Sequence, residues 1–498
     1  MRTTRAERVD LSTLDHVRLE ANRRLNPARK VEFGQFMTPG SVARFMASLF
    51  SERNGPVSVL DAGAGVGSLT AAFISRLGNE AMAVSAYEID PTLAVYLRET
   101  LARYGDNIDA AIIERDFIQD AVYRLKLGKG GQRFTHAILN PPYKKINSHS
   151  EHRALLRAVG LETVNLYTAF VGLALELMAG GGELVAIIPR SFCNGLYYKP
   201  FREWVLKRAS IEHIHLFHSR TSAFNDDEVL QENVIIKIVR GKRQGRVTIT
   251  TSSDTGFGDL RSHVYSFSEI VHSGDGQKFI HIPVAPSHNG ISGVPLARKS
   301  LDDISLEVST GPVVDFRLKE FLRDQPSQGT VPLLYPVHFS GGVMEWPRQS
   351  KKPNAVLRTA ETKKWLYPAG FYTVVRRFSS KEESRRIVAH VVDPAGLKSA
   401  AAIGFENHLN VFHSGKKGIG RDVAHGLSVF LNSTAVDDYF RRFSGHTQVN
   451  ATDLRGLKYP ESAELQQLGR WAQSQARLTQ ELIDQQVEAL HGRRKQDR

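Results

Sequence analysis

The chain has 498 residues, 41% of them hydrophobic and 23% charged. That is ordinary for a globular protein and too long for one core, so two or three domains are expected. The net charge of +13 and a pI of about 9.6 favour a polyanionic partner, because Lys and Arg displace counterions from phosphates. A merely basic enzyme would share that balance. A single cysteine, Cys193, leaves no intrachain disulfide and no cysteine zinc site. No apolar run reaches the ~18 residues of a membrane span, and the N-terminus has no signal-peptide core, so a cytoplasmic protein is expected.

Residues 1–30 are charged, with Val9, Leu14, Val17 and Leu25 spaced for a surface helix. In Phe33-Gly34-Gln35-Phe36-Met37-Thr38-Pro39, Thr38 is a suitable N-cap and Pro39 a suitable first helical residue. The following helix would bury Val42, Phe45, Met46 and Leu49. This entry suits a ligand site, but taken alone ordinary packing is the favoured reading.

Val57–Leu60 reads as a buried strand running into Asp61-Ala62-Gly63-Ala64-Gly65-Val66-Gly67, then a helix from about Ser68 to Leu77. Strand, glycine turn and helix open a nucleotide-binding βαβ unit. The spacing is G-x-G-x-G, not the dinucleotide G-x-G-x-x-G. Asp61 ahead of the glycines disfavours a pyrophosphate and suits a cation such as a sulfonium or ammonium group. A second strand, Met82–Tyr87, ends at Glu88-Ile89-Asp90, with Glu88 about 20 residues past the glycines, where an acid commonly binds ribose hydroxyls. A third strand, Ala111–Glu114, ends at Asp116-Phe117, an acceptor for an amino group beside a ring.

The fourth strand, His136–Leu139, ends at Asn140-Pro141-Pro142-Tyr143. Proline fixes φ, gives up its N–H and keeps the residue before it extended. Asn140 is thus presented at a strand end, with Tyr143 a short fixed distance away. The arrangement suits gripping an amine-bearing flat ring. Alone, a Pro-Pro turn is an equal reading. Four successive strand ends carrying Asp61, Glu88, Asp116 and Asn140 are more specific, because ligands of open parallel sheets bind outside the carboxyl ends of strands.

A helix is expected from about Asn165 to Met178, stopped by Gly180-Gly181-Gly182, then strands at Glu183–Ile188, Ile211–Phe217 and Asn233–Val239. The polar loop Ser219–Glu232 carries Phe224 among Asn225, Asp226 and Asp227, either a packing anchor or the second face of a base clamp. Residues 241–300 read as a small β extension or connector. From about residue 301, Asp315-Phe316-Arg317 should open a helix. Basic residues then interleave with aromatics through Lys351-Lys352, Lys363-Lys364-Trp365 and Phe371–Phe378, which suits phosphate contact and base reading. Arg441–Pro460 reads as a polar loop, and Ala463–Leu490 as a helix before a frayed basic tail. The expected organisation is an N-terminal helical segment (1–30), a catalytic domain (31–240), the connector (241–300), a recognition domain (301–460) and a C-terminal helix with its tail (461–498).

The order of these motifs resembles the S-adenosylmethionine-dependent DNA amino-methyltransferases, in particular the γ-class N6-adenine enzymes of Type II restriction–modification systems. The resemblance rests on Gly34–Pro39, Asp61–Gly67, Glu88, Asp116-Phe117 and Asn140–Tyr143. More loosely, it extends to Ala223–Val239, Val308–Arg317, Phe371–Arg386 and Ser444–Pro460. It implies an α/β, Rossmann-like class I methyltransferase domain with a seven-stranded, mostly parallel sheet, followed by a mixed α/β target-recognition domain. It further implies that Phe36, Thr38 and Pro39 close over the cofactor and that Asp61, Ala62, Gly63, Gly65 and Gly67 cradle its methionine part. Glu88 and Ile89 would serve its ribose, and Asp116 and Phe117 its adenine. Asn140 and the Pro141 carbonyl would hold the target amino group, with Pro142 stiffening the turn. Tyr143 and Phe224 would cover the two faces of a flipped base. The implied partner is double-stranded DNA, bound by a monomer without a metal. A cognate restriction endonuclease would share the sequence without binding this chain, and the enzyme would work at the bacterial nucleoid. Related enzymes act on RNA, on protein glutamine or on N4 of cytosine. The basic region 301–460 argues against the first two.

Overall fold

The computed structural model describes residues 11–24, 37–53, 55–78, 82–105, 108–127, 133–217, 232–283, 294, 296–340, 343–379, 383–398, 400–444 and 448–496. The chain divides into two compact units, Met1–Pro286 and Ser287–Arg498.

The first unit is built on one nine-stranded sheet. Its strands are β1 (Val57–Ala62), β2 (Met82–Tyr87), β3 (Ile108–Ile113), β4 (Phe134–Leu139), β5 (Met178–Pro189), β6 (Ala209–Phe217), β7 (Asn233–Arg240), β8 (Arg246–Ser252) and β9 (Arg261–Ser266). Their order is β3-β2-β1-β4-β5-β7-β6-β8-β9. β3, β2, β1, β4 and β5 are mutually parallel, while β7 runs antiparallel to both β5 and β6. The first seven strands in this order form the expected Rossmann-like sheet. Beyond them, β8 pairs parallel with β6, and β9 pairs antiparallel with β8. Residues 246–266 therefore extend the sheet. Arg246–Ser252 alternates only at its start, burying Val247 and Ile249, and is buried throughout from Ile249 to Ser252.

Period two also divides the core. Leu60 and Ala62 of β1 and Leu139 of β4 face one cluster, packed with Phe117, Ile118 and Leu173. Val57 and Val59 of β1 and Ile138 of β4 face the other, with Val42, Met46 and Phe73. Every residue of β1 is buried, as expected for a central parallel strand with helices on both faces. The chain runs outward from β1 through β2 to β3, and in the opposite sense from β4 to β5. The crevice at that reversal is where open α/β sheets take ligands.

The second unit holds two larger sheets. One is antiparallel, with Glu307–Thr310, Leu409–His413, Tyr372–Arg376 and Ala389–Val392 in that order. The other is mixed: Leu322–Arg323, Ala355–Leu357, Thr330–Leu334, Ala402–Phe405 and Leu366–Pro368. The helices Arg421–Leu431 and Ser462–Ser474 cross at two glycines. A Cβ on Gly426 would stand 1.8 Å from the Leu465 carbonyl oxygen, and one on Gly469 1.8 Å from that of Asp422. Only glycine allows the two backbones to approach so closely.

Several expectations are corrected. The helix Leu166–Leu177 ends before the three glycines and passes directly into β5, which contains them. Instead of a helix, Asp315–Arg317 and Lys319–Phe321 form two short 3-10 turns that lead into the strand Leu322–Arg323. Arg441–Pro460 is not one loop: it takes in the end of the helix Thr434–Phe443 and a helical turn, Ala451–Arg455. The C-terminal stretch is two helices, Ser462–Ser474 and Gln480–Gln496, and the second runs on through the basic residues. Arg386, at the end of the stretch Phe371–Arg386, is buried. It donates to Ser379 and Ser444 hydroxyls, while its backbone N–H is held by Asp437.

Candidate active site

β1 turns through Gly63, Gly65 and Gly67 into the helix Ser68–Leu77. These glycines have φ of 82°, 58° and 88°, the left-handed region that disfavours other residues. A Cβ on Gly67 would meet Leu97 Cδ1 at 2.9 Å, so this glycine lets the helices close. A Cβ on Gly63 would project between the loop and the end of β4, 3.8 Å from the Asn140 carbonyl oxygen and 3.9 Å from Phe170 and Pro142. That space opens into a cleft of about 420 Å³, within the usual range for small-molecule sites.

Two buried carboxylates flank the loop. Glu88, at the end of β2, accepts from the Gly65 N–H and the Asp90 N–H, each at 2.8 Å. Burial nonetheless pushes its carboxyl up to about 7. Asp61 accepts from the Thr70 hydroxyl at 2.6 Å, and its other oxygen is buried with no hydrogen-bond partner among the described residues. Burial, with Glu88 nearby adding to it, pushes Asp61 up to about 7 as well, against the Thr70 hydrogen bond. Glu88 lines the adjoining cleft, where a cation would favour its charged form.

The Asn140 side chain is held at both ends. Its Nδ2 donates to the Thr38 hydroxyl at 2.9 Å, and its Oδ1 accepts from the Tyr143 hydroxyl at 3.2 Å. Tyr143 O–H also lies 3.1 Å from the Ile187 carbonyl of β5, and burial holds its phenol well above the ordinary range, so it remains a donor. The cleft wall continues through Asp116, Phe117 and Phe170, the two rings 5.0 Å apart. Asp116 caps the helix Phe117–Lys126 and meets His152 Nε2 at 2.9 Å. Burial lifts the Asp116 carboxyl, but the hydrogen bonds from His152 and the Gln119 N–H bring it below the ordinary range.

This combination of a glycine turn, a buried strand-end acid and a strand-end amide has sequence relatives. The family of the Eco57I restriction-modification methylase matches residues 89–224. The Type II methyltransferase M.BsuBI of Bacillus subtilis is 53% identical over 492 residues, covering 96% of this chain and 98% of that protein. The chain belongs to the Type II methyltransferase family of restriction–modification systems. M.PstI of Providencia stuartii, another Type II methyltransferase, is 42% identical over 472 residues, 91% of this chain and 92% of that one. Among solved structures, the DrdV–DNA complex aligns over 93% of this chain and 59% of its own, with a TM-score of 0.50 at 13% identity, a likeness of fold.

In this DNA methyltransferase, Thr38, Gly63, Gly65, Glu88, Ile89, Asp116, Phe117, Asn140 and Pro142 converge on the cleft. Asp61 does not line it, being turned to Thr70. Ala62 is buried in the sheet core, and Gly67 acts in helix packing. Pro141 is buried and Tyr143 half-buried. Pro39, not Thr38, is the N-cap of the helix Gly40–Ser48, which leaves the Thr38 hydroxyl for Asn140. Phe36 and Phe224 lie outside the described residues. Sequence reasoning did not assign Phe170, Arg115, Lys144, Lys145 or His152 to the cleft, though all line it. The only signal for Phe170 was an aromatic near a helix start. For His152 there was none, because its partner lies 36 residues earlier in the chain.

Proposed function

We propose that this chain methylates the N6 amino group of an adenine flipped out of duplex DNA, using S-adenosylmethionine. The observation that carries this reading is the Asn140 amide, pinned by Thr38 and Tyr143 at the edge of a cleft bounded by the glycine loop and Glu88. The residues fit the cofactor. The space a Gly63 side chain would fill is kept open, Glu88 suits ribose hydroxyls, and the buried Asp61–Glu88 pair favours a cation. When bound, S-adenosylmethionine supplies a methyl group carried on a positively charged sulfur.

The exocyclic nitrogen of adenine is a poor nucleophile, because its lone pair is delocalised into the ring. In this reading the Asn140 Oδ1 and the Pro141 carbonyl accept its two hydrogens and turn the lone pair out of the ring plane. A carbonyl oxygen can accept twice, so Oδ1 can keep its bond to Tyr143. Fixed orientation of this kind can supply ~7–11 kcal/mol of the barrier. Flipping the base costs a few kcal/mol, and stacking on Tyr143, with Phe224 on the other face, returns ~1–3 kcal/mol per ring. The chain would act as a monomer in the bacterial cytoplasm, beside an endonuclease that cuts the same sequence without binding it.

The test is duplex DNA incubated with radiolabelled S-adenosylmethionine and digested to nucleosides. Label in N6-methyladenine, reduced by roughly 100-fold or more in Asn140→Ala, is expected. Label in N4-methylcytosine would overturn the adenine assignment. Unchanged transfer by Asn140→Ala would remove the role of the amide.

A further inference from the structure

The cleft contains a charged pair that joins two stretches distant in sequence. Asp116 Oδ1 accepts from the Gln119 N–H at 2.9 Å, and its Oδ2 lies 2.9 Å from His152 Nε2. His152 sits on the helix Glu151–Ala158, just after the Asn140–Tyr143 segment, and that helix packs against Phe117–Lys126. Both side chains line the cleft and remain partly open, 23% for Asp116 and 32% for His152. The pair stands where a ligand in the cleft would touch it.

A carboxylate with one oxygen given to a helix N-terminus and the other to an imidazole has a single orientation. We infer that His152 is a positioning residue for the cofactor: it sets the Asp116 carboxylate toward the ligand and ties the chain following the N-P-P-Y segment to cofactor occupancy. This rests on reading Asp116 as the contact for the cofactor's adenine. The hydrogen bond to Asp116 holds the imidazole above its ordinary range, against burial, and the charges of Asp116 and Glu151 add to the rise. Among the described residues, Arg115, Lys144 and Lys145 also line the cleft, and Asp120 on the packed helix is engaged by Tyr87 and Arg124. The ion pair is therefore present at lower pH and loses its charge as pH rises through the raised imidazole value.

The experiment measures S-adenosylmethionine affinity by calorimetry on the full chain without DNA, for wild type, His152→Ala, His152→Gln and Asp116→Ala, from about pH 6 to about pH 9, alongside thermal unfolding. Asp61 and Glu88 also titrate within this window, so the contribution of His152 is read as the difference between the wild-type and His152→Gln profiles. His152→Ala should bind roughly tenfold more weakly at the low end, and its cofactor KM should change more than its kcat. His152→Gln keeps an N–H donor near the Nε2 position. It should recover most of the affinity and lose only the part of the wild-type pH profile that comes from the imidazole. Wild-type affinity in His152→Ala, or a wild-type pH profile in His152→Gln, with Asp116→Ala weakened, overturns the inference alone. If Asp116→Ala also binds normally, the reading of Asp116 falls with it.

Discussion

Thr38→Val and Tyr143→Phe test whether pinning the Asn140 amide matters to the chemistry. Each removes one oxygen-based partner with little change of shape. Thr38 is 4% exposed and takes the amide N–H at 2.9 Å, while Tyr143 reaches Oδ1 at 3.2 Å. Losing one such bond and leaving a partly buried group without it costs ~1–3 kcal/mol. Expressed as misorientation in the transition state, this is roughly a 5- to 150-fold fall in kcat/KM for each variant. Both changes act on one side chain, so the double variant should depart from additivity by ~0.5–3 kcal/mol. Single-turnover methyl transfer at saturating DNA, with cofactor affinity measured separately, isolates the effect. Single variants within about twofold of wild type would refute the argument. Strictly multiplicative effects in the double variant would refute it equally.

Asp61 and Glu88 are raised from 3.8 and 4.5 to about 7, so the folded chain keeps protons that the unfolded chain has released. Stability from this source is full at pH values below the unfolded pKa and is lost as pH rises through about 7. The melting temperature of the ligand-free protein should fall between about pH 5 and about pH 8, with a shallower slope in Glu88→Gln. An unchanged slope in that variant counts against the assignment. Gly67→Ala combines a φ of 88° with a 2.9 Å clash and should cost ~2–4 kcal/mol, more than Gly105→Ala, where φ is 58° and the space is open. Chemical denaturation of both variants compares them directly. Gly426→Ala forces apart the helices Arg421–Leu431 and Ser462–Ser474 and should destabilise the second unit by more than ~3 kcal/mol. Gly492→Ala, helical and uncrowded, should instead stabilise by up to ~1 kcal/mol. Limited proteolysis of the second unit reads the difference.

Much of the first unit was legible because its signals are local. Apolar runs ending in an acid or amide announce central parallel strands, and Gly63, Gly65 and Gly67 announce a turn requiring positive φ. The second unit was less legible. Its short strands, such as Leu322–Arg323 and Ala355–Leu357, carry too few residues for a period to register, and pairing decides them. Basic residues there divide by burial, which composition cannot foresee: Arg386 serves the interior, whereas Lys364 stays near the surface over Trp365.

At the site, the types of residue were set by the sequence and their employment by the fold. Chain order placed Asp61, Glu88, Asp116 and Asn140 at or just beyond successive strand ends: Asp61 is the penultimate residue of β1, Glu88 and Asn140 directly follow apolar runs, and Asp116 comes after Glu114-Arg115 beyond β3. Which oxygen faces the cleft was decided by partners far away in the chain. Asp61 turns to Thr70, Thr38 forgoes its helix cap for Asn140, and His152 meets Asp116. Local propensity reaches only a few residues, whereas hydrogen bonds and desolvation act between whatever atoms the packed sheet brings within about 3 Å.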